Sequence, residues 1–168
     1  GEPGNEISIY RGIPYAASTA GEFRWKPPQP VVAWNGIREC TAFSAISPQG
    51  SIVFPPNKEQ AQRPDPPPAP VMPQSEDCLY LNVLTPAGTP QENLPVMVWI
   101  HGGGFVMGSG NEALCNFYRL PQHGVVLVNV NTRLGPLGLL ANRLLSRESG
   151  HGVSGNYMFL DLVAALQW

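Results

Sequence analysis

Two short runs, Val96-Met97-Val98-Trp99-Ile100 and Val125-Val126-Leu127-Val128-Asn129-Val130, are apolar at all but one position. A strand with one wet face alternates apolar and polar residues. A run without a polar face suits the interior of a parallel sheet covered on both sides. Parallel neighbours need a crossover between them. The intervening Asn111–Gln122 carries Leu114, Cys115, Phe117 and Tyr118 in a rough helical stripe, so the region reads as strand, helix and strand in a right-handed crossover unit. Leu79-Tyr80-Leu81-Asn82-Val83-Leu84 places Leu79, Leu81 and Val83 on one face and predicts a further strand. Residues 156–168 predict the clearest helix, with Phe159, Leu162, Val163 and Leu166 at i, i+3, i+4 and i+7. The fold class is α/β.

Helices and strands are interrupted by a stretch, 55–75, that holds eight prolines. Such a stretch forms neither a helix nor a central strand. Two readings stay open for it: a surface loop of polyproline character, or a lid over a pocket. The helical pattern at the C-terminal end reaches Trp168 with no Gly, Pro or basic last turn to stop it. Charged residues are 13% of the chain, about half the usual ~25%. Both features lead to the expectation that the chain is cut rather than finished, with surface meant to be covered. It begins at Gly1 without an apolar leader, so a targeting segment is expected to be absent or removed.

A net charge of −2 offers no basic field for nucleic acid, and no apolar run reaches the roughly 18–20 residues of a membrane span. The cysteines, Cys40, Cys78 and Cys115, form no C-x-x-C, and His101, His123 and His151 are scattered. Neither a metal site nor a cofactor is expected.

The sharpest local feature is His101-Gly102-Gly103-Gly104-Phe105, directly after the first apolar run. Three glycines at the C-terminal end of a buried strand stand where open α/β sheets bind ligands. Backbone without side chains approaches a ligand closely, and aimed N–H groups stabilise a developing oxyanion. The bland alternative is a glycine-rich turn without chemistry. Gly108-Ser109-Gly110-Asn111-Glu112-Ala113 also fits a dinucleotide G-x-G-x-x-A, but no full strand immediately precedes it.

Further segments complete a pattern: Tyr10-Arg11-Gly12-Ile13-Pro14-Tyr15-Ala16, Phe23-Arg24-Trp25-x-Pro27-x-x-Pro30, Trp34-Asn35-Gly36, Ser75-Glu76-Asp77-Cys78-Leu79-Tyr80-Leu81-Asn82-Val83, Arg133-Leu134-Gly135-Pro136-Leu137-Gly138 and Gly155-Asn156. Together with the glycine run, these resemble the N-terminal portion of type-B carboxylesterases, the cholinesterase-like branch of the α/β-hydrolases. The resemblance covers nearly the whole chain in order. It implies residues 1–168 as the N-terminal portion of one α/β-hydrolase domain, a mixed, mostly parallel sheet flanked by helices and incomplete in this chain. It also implies a serine carboxylic-ester hydrolase with an acyl-enzyme cycle. Gly103 and Gly104 look like the oxyanion-hole donors, with Gly102 and Phe105 beside the substrate. Arg24 with Glu76, and Arg133 with Asp161, look like structural ion pairs. His101 is not expected to be a catalytic base.

Four departures qualify the resemblance. Where the family often has Cys-x-Gln, this chain has Ser47-Pro48-Gln49, so Cys78 is expected to be unpaired, with a Cys40–Cys78 bridge as the competing reading. The family's Asn-Tyr-Arg is here Asn131-Thr132-Arg133, and its Asp-Gln is Asp161-Leu162; neither change is expected to touch the glycine loop. The nucleophile elbow G-x-S-x-G is absent, the near miss being Gly152-Val153-Ser154-Gly155-Asn156. The expected partners are therefore the C-terminal remainder of the hydrolase, as a second chain or an unshown segment, and a small-molecule ester. This chain alone is expected to be inactive. A reading from another class is a catalytically silent adhesion or partner-binding domain of the same fold.

Overall fold

The computed structural model describes residues 7–50, 72–112 and 119–168. Most of the proline-rich stretch lies outside these residues, and so does the centre of the helical stripe expected over 111–122. The described elements are β1 (Ser8–Pro14), β2 (Tyr80–Thr85), β3 (Val96–Ile100), β4 (Val126–Val130), α1 (Gly135–Leu139), α2 (Arg143–Glu148) and α3 (Tyr157–Gln167).

The four strands form one mixed sheet in the order β1-β2-β4-β3. β1 runs antiparallel to β2, with Ser8 opposite Thr85 and an irregularity between Tyr10 and Ile13. β2 is antiparallel to β4, with Leu81 opposite Val130. β3 and β4 are the parallel pair, Val96 beside Val126 and Ile100 beside Val130. Their parallel pairing fits the crossover read from the two apolar runs.

The strands differ in how far the described residues cover them. β2 is an inner strand, and its burial is not confined to one face: Leu81, Asn82 and Leu84 are all fully buried. The alternation of Leu79, Leu81 and Val83 therefore described only half of its environment. β3 lies at the edge, with no described strand beyond it, and Val96, Met97 and Ile100 are exposed. Its apolar sequence would suit an inner position, whereas β4 occupies one and is buried along nearly its whole length.

The core gathers Tyr15, Ala16, Cys78, Leu79, Leu81, Val128 and Val130, with Leu162, Ala164 and Ala165 of α3 packed on it. The helix forms where the sequence predicts it, but its buried face differs. Tyr157, Met158 and Asp161 point inward, while Phe159, Val163 and Leu166 are exposed. Residues 157, 158, 161, 164 and 165 also fall at helical spacing, so α3 carries two stripes. Asp161, 0% exposed, decides between them. It accepts from the Arg133 backbone N–H at 3.1 Å, from Nε at 2.9 Å and from Nη2 at 2.6 Å. Arg133 Nη1 in turn donates to the Lys26 carbonyl at 2.8 Å. A buried charge needs such partners, and these fix the rotation of α3.

Cys40 and Cys78 are free thiols. Cys78 is completely buried, and burial pushes its thiol up to about 12, partly offset by a hydrogen bond with Ser47. Since the thiolate is the reactive form, the remaining thiol of a Cys40→Ser/Cys115→Ser variant is expected to resist an aromatic disulfide reagent in native buffer. It should titrate fully only in denaturant; prompt titration of the native protein would contradict this burial.

Candidate active site

β3 and β4 end side by side at Ile100 and Val130, and the chain leaves the sheet at this edge in both cases. After Ile100 the glycine run turns over the strand ends. Gly102, Gly104 and Phe105, with Ile100, His101, Val130, Thr132, Leu134 and Met158, line a cleft of about 260 Å³. Of the glycines expected to act there, Gly102 and Gly104 form wall; Gly103 lies between them in the chain without lining the cleft.

The loop is held in an unusual backbone shape. Gly103, Gly104 and Phe105 have φ of +119°, +61° and +66°. Left-handed backbone costs an L residue on the order of 1–2 kcal/mol, so two glycines are suited to it and Phe105 bears the strain. A Cβ on Gly103 would overlap the Met107 carbonyl, whereas a Cβ on Gly104 would meet nothing. The turn closes through the Val106 and Met107 amides, which donate to the Gly103 carbonyl at 3.2 and 3.3 Å. The Gly135 amide donates to the Phe105 carbonyl at 2.7 Å, tying the loop to the segment after Arg133. Among the described residues, the amides of Gly102, Gly103 and Gly104 donate to no backbone carbonyl. These glycines are exposed, so their amides are open to solvent or to a ligand oxygen.

His101 Nδ1–H donates to the Gly102 carbonyl at 2.8 Å, so the ring braces the loop's own backbone. The Phe105 ring meets Phe159 edge-on, with centroids 6.0 Å apart. Thr132, where the family has tyrosine, is part of the cleft wall. Thr132 and Leu134 flank Arg133, so the buried ion pair to Asp161 anchors both wall residues. Burial pushes the Asp161 carboxyl up, and the hydrogen bonds and charge of Arg133 pull it back part of the way.

The remaining candidates are placed away from the cleft wall. Arg24 pairs with Glu76 through two bonds of 2.7 and 2.6 Å, and the neighbouring Trp25 Nε1–H donates to the Pro136 carbonyl at 2.9 Å. Ser154, in the near-miss elbow, accepts from the Asn142 amide at 3.0 Å and donates to the Asn142 carbonyl at 3.1 Å. Its hydroxyl is used to fasten a loop. Gly110 of the G-x-G-x-x-A match packs flat on β4, where a Cβ would lie 3.0 Å from the Asn129 carbonyl carbon. That glycine serves close packing. Among the described residues, no group of three His, Cys, Asp or Glu side chains is placed to hold a metal ion. No described helix is long and apolar enough to cross a membrane.

The sequence profile of the carboxylesterase family matches residues 1–168. The chain belongs to that family. It is 40% identical over 163 residues to the fumonisin B1 esterase of Sphingopyxis macrogoltabida, a match covering 97% of the chain and 28% of the relative. It is 41% identical over 165 residues to the para-nitrobenzyl esterase of Bacillus subtilis, covering 98% of the chain and 31% of the relative. A solved PNB esterase superposes with a TM-score of 0.78 at 40% identity, covering 100% of this chain and 31% of that one. A Geobacillus stearothermophilus carboxylesterase does so with a TM-score of 0.78 at 35% identity, over 100% of this chain and 31% of that one. The carboxylesterase chain described here thus spans under a third of the length of these relatives. Its sheet is part of an α/β-hydrolase fold.

Proposed function

We propose that this chain is the N-terminal portion of a serine carboxylic-ester hydrolase and supplies its oxyanion-hole loop. The nucleophilic Ser, the His base and the orienting carboxylate belong to the remainder of the fold. The observation that carries this reading is the glycine loop itself. It stands at the C-terminal end of β3, lines a cleft with backbone, and leaves its amides without backbone acceptors. Acyl transfer builds negative charge on the former carbonyl oxygen, and preorganised N–H donors stabilise that charge more than they stabilise the substrate. The chemistry then runs as a Ser–His–acid acyl-enzyme cycle. The names of the relatives place esters as their substrates, and the family membership extends that class of substrate to this protein.

The test is reconstitution. The full-length polypeptide, or this chain combined with a C-terminal partner carrying G-x-S-x-G, is expected to hydrolyse p-nitrophenyl esters. A fluorophosphonate probe is expected to label the C-terminal part and never residues 1–168. Residues 1–168 alone are expected to be inactive and to melt without cooperativity, because β3 is left as an open edge and α3 exposes Phe159, Val163 and Leu166. A full-length protein that hydrolyses no ester and takes no probe would favour the catalytically silent domain instead.

A further inference from the structure

Gln49 lies far from the glycine run in sequence, yet its side chain grips the loop that follows it. Gln49 Oε1 accepts from the Gly108 amide at 2.6 Å, and Gln49 Nε2 donates to the Gly108 carbonyl at 3.0 Å. One side-chain amide thus satisfies both backbone groups of a buried residue, as a neighbouring strand would. Gln49 is itself fixed: its backbone amide donates to Gln74 Oε1 at 2.9 Å, and Nε2 also donates to the Ser47 carbonyl at 3.1 Å.

Gly108 is pressed against the catalytic candidate. A Cβ on it would lie 2.5 Å from both the Gly102 carbonyl oxygen and His101 Nδ1. That same carbonyl receives the His101 Nδ1–H bond at 2.8 Å. The Gly102 carbonyl and the Gly103 amide belong to one peptide unit, which is planar and trans, so its C=O and N–H point in opposite directions. Holding the carbonyl on the Gly108 side holds the Gly103 N–H on the other.

We infer that Gln49 is a positioning residue of the oxyanion hole, orienting the Gly103 amide through Gly108 and the Gly102 carbonyl. The inference rests on the proposed esterase function. Gln49 is not among the residues lining the cleft, so the role inferred for it is confined to how well two donors meet the transition-state oxygen. A donor displaced by part of an ångström weakens transition-state binding and leaves ground-state binding almost untouched.

The experiment uses the full-length enzyme and its Gln49→Ala variant, measured well below the melting transition of each. The readouts are kcat and KM on p-nitrophenyl acetate and the inhibition constant of a trifluoromethyl ketone, whose hemiketal adduct with the serine carries an oxyanion. Expected are a fall in kcat of about tenfold, an equal rise in the inhibition constant, and KM within about twofold; this is smaller than the ~10²–10³ that follows complete loss of one donor. Unchanged kcat and inhibition constant, whatever happens to the melting temperature, would overturn the inference. So would a rise in KM that alone accounts for the loss. Gln49→Glu carries the same test if the alanine variant does not fold. It keeps the acceptor for the Gly108 amide and sets a second acceptor against the Gly108 carbonyl, and the same parallel loss is expected. Wild-type enzyme without esterase activity would defeat the proposed function itself. An active wild type in which Gly104→Ala is impaired and Gln49→Ala is not would defeat only the role of Gln49.

Discussion

In the full-length enzyme, Gly104→Val is expected to lower kcat on the order of 10²–10³-fold, equivalent to about 2.7–4 kcal/mol of transition-state stabilisation. The melting temperature should fall by no more than the strained backbone accounts for, on the order of 1–2 kcal/mol. The two parts of this expectation have separate causes. A Cβ at Gly104 meets no neighbour among the described residues, so no packing is broken. Its φ of +61° is, however, a conformation that a β-branched residue avoids, so the substituted chain turns the adjoining peptide units and their N–H groups away from the cleft. Gly104→Ala, which tolerates positive φ better, should fall between wild type and valine. Gly103 gives a different outcome: its Cβ would overlap the Met107 carbonyl, so Gly103→Ala should cost stability as well as rate. His101→Gln should retain most of the activity. Unchanged kcat for Gly104→Val on several esters would reduce the glycine run to a structural turn.

The second large effect is on stability. Arg133→Ala is expected to destabilise the protein by about 3–5 kcal/mol, because it strands a buried carboxylate. Asp161 is 0% exposed and loses all its side-chain bonds to Arg133; Lys26 loses the donor to its carbonyl. The pH dependence has a definite sign. Burial already raises the Asp161 carboxyl above its ordinary value, with Arg133 opposing that rise. Removing the arginine side chain raises the folded-state value further. A raised carboxyl means that the folded protein binds the proton more tightly than the unfolded chain, so stability falls as pH climbs above the unfolded value. The deficit of Arg133→Ala relative to wild type should therefore be smallest near pH 4 and grow toward pH 7. Urea denaturation of both proteins at the two pH values checks this. A deficit independent of pH would assign the effect to lost packing around the guanidinium. Arg24 and Glu76 provide the contrast: the Arg24 side chain is 44% exposed, and disrupting this solvent-screened pair is expected to cost far less than disrupting the buried one.

Local features proved legible where local chemistry suffices. The apolar runs at 96–100 and 126–130 became a parallel pair, and the helix over 157–167 lies within the predicted span. The glycine run sits at the C-terminal end of its strand because three residues without side chains, placed after a buried strand, can do little except turn there. Family membership was likewise written in segment order along the chain. The wall of the cleft was less legible. Thr132 and Met158 come from segments 28 and more residues beyond the glycines, and nothing in their spacing announces that the chain returns. Gln49 was legible only as the retained glutamine of the family's Cys-x-Gln, since a single polar residue beside a proline has no periodicity to reveal its contact with Gly108.

The sequence by itself determined the strands at 80–85, 96–100 and 126–130, the helix at 157–167 and the glycine run that follows β3, whereas β1, α1 and α2 were not read from it. These follow from short-range spacing and from the conformational freedom of glycine. The tertiary structure decided the order in which the strands pair, since β3 and β4 are nearly indistinguishable in composition and only the pairing separates them. It also decided which face of α3 turns toward the described sheet. Hydrophobicity favours the stripe of Phe159, Val163 and Leu166, but a buried carboxylate must meet its arginine. That arginine is held 28 residues away in the chain by the end of β4, so helix rotation is set by a charge pair that only the folded chain brings together.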